Sequence, residues 1–81
     1  MQVALELYGT RSCPHTAELR DALHWEGKEF VEYDVESDAA AMERLGSLSN
    51  GACNVPVLVQ DGRVIQVGHH GRTCYVRTKT Q

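Results

Sequence analysis

Apolar and polar positions alternate at the start of the chain: Val3, Leu5 and Leu7 against Ala4, Glu6 and Tyr8, which predicts a strand. From Pro14 to Glu26 the interval changes to helical spacing, with Leu19, Ala22 and Leu23 on one side, Trp25 near the end and Gly27 as a stop. Phe30–Val35 is rich in β-branched and aromatic residues and predicts a second strand. A second helix is expected from a cap at Ser37 or Asp38 to about Leu45, with Met42 and Leu45 facing inward. Gly46 to Asn54 reads as a loop. Val55–Val59 predicts a third strand with Pro56 near its entrance. Asp61-Gly62 is a two-residue turn signal, and Arg63–Val67 supplies the returning strand of a hairpin. Gly68-His69-His70-Gly71 breaks the pattern, and the polar stretch 72–81 could be a brief helix, an extended segment or a frayed end.

The order β-α-β-α-β-β makes the first helix a right-handed crossover between two parallel strands, and the closing hairpin adds antiparallel neighbours. The expected architecture is a four-stranded mixed α/β sheet flanked by helices, with the last helix short or absent. A chain of 81 residues makes one small domain, here a core over about 3–71 and a short tail over 72–81.

Composition narrows the function classes. The net charge is 8 − 11 = −3, with no basic stripe and few aromatic residues, which argues against a nucleic-acid partner. No apolar run approaches a membrane span, and the N-terminus lacks the basic and apolar regions of a signal peptide. The expectation is a cytoplasmic monomer without membrane partners. The three cysteines, Cys13, Cys53 and Cys74, leave at least one thiol outside any intrachain pairing, and none lies close enough to another for a C-x-x-C pair.

Cys13 falls where the first strand hands over to the first helix. Unpaired backbone N–H groups and the positive end of the helix dipole stabilise a thiolate there. Pro14 suits the first helical turn, because its missing N–H would find no partner in any case. An exposed thiolate so placed is a nucleophile toward disulfides. Arg11 would add positive charge beside it.

Tyr8-Gly9-x-x-x-Cys13-Pro14-His15-Thr16 after the first strand, with Asn54-Val55-Pro56 before the third and a hairpin directly after, resembles the glutaredoxins of the thioredoxin superfamily. The likeness is greatest to the glutaredoxin-like (seleno)proteins of the Uxx-star family, in which selenocysteine often takes the place matching Cys13. The resemblance covers about residues 3–71 and implies a thioredoxin-like fold and thiol–disulfide oxidoreductase activity. It also implies a cis Val55–Pro56 bond, with the Val55 backbone free to pair with an extended thiol substrate as an added strand. No tightly bound cofactor is expected, and glutathione is the expected co-substrate, alongside protein thiols and disulfides.

Thr16 stands where dithiol glutaredoxins carry a second cysteine, so a mixed disulfide on Cys13 needs another thiol to release it. Glutathione could do so, or Cys53 in the loop entering the site, or Cys74, which is favoured because a tail can swing; both cysteines could equally be bystanders. The substrate-contacting set implied is Arg11, Pro14, His15, Thr16, Val55, Pro56, Gly68 and His69. The chain departs from the family in carrying Thr10 where a lysine is usual, and Gly68-His69-His70-Gly71 where acidic residues usually follow glycines. A rival reading takes Cys13 with His15, His69, His70 or a further cysteine as a metal or iron–sulfur binding module.

Overall fold

The computed structural model describes residues 5–48 and 54–76. The elements in order are β1 (Leu5–Gly9), α1 (Pro14–Trp25), β2 (Val31–Asp34), α2 (Ala39–Leu48), β3 (Asn54–Val55), β4 (Val57–Gln60), β5 (Arg63–Val67) and β6 (Cys74–Tyr75). Val3, Ala4, most of the expected loop before Asn54, with Cys53 in it, and the end of the tail lie outside the described residues.

The four longer strands form one sheet in the order β2-β1-β4-β5. β1 runs parallel to β2, with Tyr8 opposite Tyr33, and antiparallel to β4, with Tyr8 opposite Val57. Strand alternation divides the core between the two faces of this sheet. Leu5 and Leu7 of β1 and Leu58 of β4 meet Leu19 and Leu23 of α1 on one face, with Phe30 packed against them. Tyr8, Val57 and Val59 meet Ala41 and Leu45 of α2 on the other. Each helix therefore covers one face.

Local chemistry explains where the elements end. Gly27 adopts φ +73°, and the N–H groups of Gly27 and Lys28 donate to the carbonyls of His24 and Leu23, a glycine-dependent helix stop. Asp38 caps α2: its Oδ1 accepts from the Ala41 N–H at 3.1 Å. Asp61 and Gly62 both have positive φ, 53° and 81°, as a tight hairpin turn between β4 and β5 demands.

The structure corrects two expectations. α2 does not stop near Leu45 but continues through Gly46 to Leu48, because Leu48 packs against the α2-side core and that burial outweighs the poor helix propensity of one glycine. The single strand expected over Val55–Val59 is interrupted at Pro56, which has no N–H for a ladder; Asn54–Val55 belongs to a separate two-stranded ribbon with β6. Of the three forms left open for the stretch from residue 72, its described part takes the extended one, with Cys74–Tyr75 as a strand and Val76 only 2 % exposed in the α2-side core. No helix follows β5 among the described residues.

Candidate active site

β1 ends at Gly9, and a short turn delivers Cys13 to the N-cap of α1 with extended backbone angles (φ −89°, ψ 115°) and Pro14 directly after it. The first intrahelical bond runs from the Ala17 N–H to the Cys13 carbonyl at 3.2 Å. In a helix that starts here, the N–H groups of His15 and Thr16 precede any intrahelical acceptor, and Pro14 has none to offer. An N-cap side chain accepts from those two donors, so a reduced Cys13 sulfur sits where they and the helix dipole stabilise negative charge.

In this structure Cys13 is joined to Cys74 in a disulfide, with a Cα–Cα distance of 6.0 Å across 61 residues of sequence. Val55 precedes a cis peptide bond to Pro56, and both residues are fully buried. The ribbon pairs Val55 with Cys74 and Asn54 with Tyr75 in antiparallel register. Cys74 thus reaches Cys13 as one residue of a strand added beside Val55. Cys13 is only 2 % exposed, not the open thiolate its position suggests, because β6 and Val76 close over it.

The segment between β5 and β6 is folded against the same corner. The Gly68 N–H donates to the Pro56 carbonyl at 2.6 Å. Gly68 has φ +81°, and a side chain there would meet the Arg72 carbonyl oxygen at 2.6 Å, so only glycine closes this turn. His69 and Arg72 exchange two backbone hydrogen bonds of 2.9 and 3.0 Å, which fold the segment back and start β6 toward Cys13.

Comparison with known proteins agrees with this geometry. A family model described as glutaredoxin matches residues 5–65, most of the chain. The chain belongs to the glutaredoxin family. The probable glutaredoxin slr1562 of Synechocystis sp. is 27% identical over 62 residues, which are 75% of this chain and 57% of that protein. The chain therefore spans little more than half the length of that relative. Among solved structures, the thioredoxin-like protein BC3987 superposes with a TM-score of 0.69 at 31% identity, over 75% of this chain and 82% of that one. A mutant of the same protein gives 0.74 at 29% identity, over 85% and 86% of the two chains. The glutaredoxin grx-1 of Archaeoglobus fulgidus gives 0.70 at 23% identity, over 85% and 78%, a likeness of fold. The thioredoxin/glutaredoxin-like fold expected from the sequence is the fold observed.

The remaining residues of the predicted glutaredoxin site fall at different depths. Pro14 is exposed at the start of α1, while Thr16 is fully buried beneath the site. A Cβ on Gly9 would come within 2.6 Å of Thr16 Oγ1, so Gly9 and Thr16 form one close contact between the end of β1 and α1. His15 is half-buried, its Nδ1 3.7 Å from Glu18. Arg11 is largely exposed and pairs with Asp34 at 3.8 Å, an acidic neighbour that offsets the charge it brings to the turn. His69 and His70 lie ring against ring, with centroids 4.2 Å apart. Cys53 lies outside the described residues.

Among the described residues no group of three His, Cys, Asp or Glu side chains is arranged to hold a metal ion, and Cys13 spends its sulfur on Cys74. The metal-module reading is not favoured. Nor is any described helix long and apolar enough to cross a membrane. What the sequence reading missed is the ribbon itself. Its signal, Cys74-Tyr75-Val76 alternating inward, outward and inward, is too short to stand out from the polar tail around it.

Proposed function

We propose that this glutaredoxin-family chain is a thiol–disulfide oxidoreductase whose two-cysteine couple is Cys13 and Cys74. The observation that carries the proposal is the Cys13–Cys74 disulfide at the start of α1, beside Val55 and Pro56. The Cys13 thiolate attacks one sulfur of a disulfide or of a glutathionylated thiol. That S–S bond breaks, the departing thiolate takes up a proton, and Cys13 is left in a mixed disulfide. The Cys74 thiolate then attacks the Cys13 sulfur and releases the substrate as a thiol. The two electrons come from the pair of cysteines, which becomes the disulfide seen here. A low-molecular-weight thiol such as glutathione, or a dithiol protein, restores the reduced pair.

Several features support this assignment. In a reducing compartment, a disulfide that involves an N-cap cysteine is more often catalytic than structural. A cytoplasmic monomer is consistent with that chemistry, as is a place in the Uxx-star branch on the Cys13-Pro14-His15-Thr16 motif. The single-cysteine motif is thereby completed from the C-terminal side. Arg11, Pro14, His15, Val55, Pro56, Gly68 and His69 border the substrate path, with Thr16 supporting it from below.

The test is intact mass and peptide mapping after reduced protein meets oxidised glutathione. Loss of two hydrogens mapped to Cys13 and Cys74 is expected from the native chain. A lasting glutathione adduct on Cys13 is expected from Cys74→Ser. No modification of Cys13 in either would overturn the proposal, and a lasting adduct in the native chain would overturn the two-cysteine couple and leave glutathione itself as the resolving thiol.

A further inference from the structure

The ribbon lays a part of the chain itself along Val55 and Cys13. Cys74 lies beside Val55 in antiparallel register, its sulfur on Cys13. The next residue, Tyr75, points away and is 77% exposed. The one after, Val76, turns back inward and is 2% exposed, in the same apolar cluster as Cys13, Val35, Val55 and Val57. A strand that places its cysteine on Cys13 must place its second following residue in this apolar position, since side chains alternate along a strand.

Resting on the redox assignment above, we infer that the site is a peptide-binding site for extended protein segments of the form Cys-x-aliphatic, and that residues 74–76 are a tethered copy of such a segment. Val55 supplies the main-chain pairing, Cys13 the covalent bond, and the cavity filled by Val76 the side-chain selection. The exposed middle position, occupied by Tyr75, accepts any residue. A polar or charged residue in the third position would be buried without a partner, which disfavours it strongly. The tethered copy also sets the order of events. A substrate strand enters when β6 lifts away, and β6 returns to its place as Cys74 resolves the mixed disulfide, displacing the substrate from backbone and sulfur together.

The test uses two short peptides, Thr-Cys-Tyr-Val and Thr-Cys-Tyr-Asp, each with its cysteine joined by a disulfide to a coloured thiol. Attack by Cys13 forms the Cys13–peptide disulfide and releases the coloured thiol, which is followed by absorbance. The full-length protein carries Cys74→Ser, so that the product persists, together with Val76→Asp, which frees the cavity of its own occupant. The valine peptide is expected to react about tenfold faster than the aspartate peptide, the factor that burial of one small aliphatic side chain supplies. In Cys74→Ser alone, where Val76 still competes, both rates fall and the preference persists. That single variant carries the comparison if the double variant does not fold. Equal rates for the two peptides, with Cys13 still reactive toward oxidised glutathione, would overturn the inference and leave the redox assignment standing. Failure of Cys13 to react with either peptides or oxidised glutathione would overturn both.

Discussion

The four-stranded sheet and the β3–β6 ribbon lie in one small molecule but are held together differently. In the main sheet, β1 aligns four residues with β2 and four with β4, and both faces are covered by helices. The ribbon has two residue pairs, the buried Val55, the buried Val76 just beyond its end and a covalent bond. The packing of the main-sheet leucines and valines does not depend on redox state, whereas the Cys13–Cys74 bond does. The difference assigns stability to the sheet and change to the ribbon. Cys13 belongs to both: its backbone starts α1 on the main sheet, and its sulfur ties down the ribbon.

The strongest way to break the comparison is to reduce the disulfide. Closing a loop of 61 residues lowers the entropy of the unfolded chain, worth about 4 kcal/mol in the chain-entropy model. Denaturant unfolding with and without reductant is expected to differ by about that amount. Amide exchange should then quicken most at Cys74–Val76, while β1 and β4 lose only the protection that the fall in global stability removes. Equal loss of protection in both places would erase the distinction between the two regions.

Leu7→Ala makes the opposite cut. Leu7 is fully buried on the α1 face of the central strand, and its truncation is expected to cost about 3 kcal/mol with the disulfide intact. That loss should be the same in oxidised and reduced protein, which paired unfolding curves would check.

Gly9→Ala probes the junction between the regions. The added methyl would collide with Thr16, so a loss of about 2 kcal/mol is expected. Thr16→Ala in the same chain should recover much of it, and lack of recovery would mean that the contact does not limit substitution.

The smallest effect is a pH dependence on the α2 face. Burial holds the Tyr8 phenol above its ordinary pKa of 10.0; the Arg44 hydrogen bond of 3.2 Å opposes the shift and the Glu6 carboxylate reinforces it. A pKa raised on folding means that the folded state keeps its proton where the unfolded chain loses it. The stability so contributed is present below pH 10.0 and declines as pH rises from there through the folded-state pKa. Tyr8→Phe is expected to flatten that alkaline slope in thermal unfolding measured against pH.

Much of the main sheet was legible in the chain. Leu5 and Leu7 against Tyr8, the helical spacing of Leu19 and Leu23, the stop at Gly27 and the turn at Asp61-Gly62 are signals that act between near neighbours, and each sits where expected. Errors arose where distant packing overruled local preference. Gly46 remains helical because Leu45 and Leu48 on either side are held by the α2-face core. The expected third strand changes partners at Pro56, and only the position of β6 shows which strand pairs with Asn54 and Val55.

The candidate site divides in the same way. By itself the sequence determined that Cys13 stands at a helix start, with Pro14 after it and Thr16 in place of a second motif cysteine, because helix capping is a local matter. It also determined that any resolving thiol within the chain must be Cys53 or Cys74. Only the tertiary structure decided that Cys74 is the one joined to Cys13, that its strand lies along Val55, and that Val76 completes the core. The disulfide joins residues 61 positions apart through the closed fold. The energy of these contacts comes from surfaces that exist only after both faces of the main sheet are formed, and no local pattern of residues encodes it.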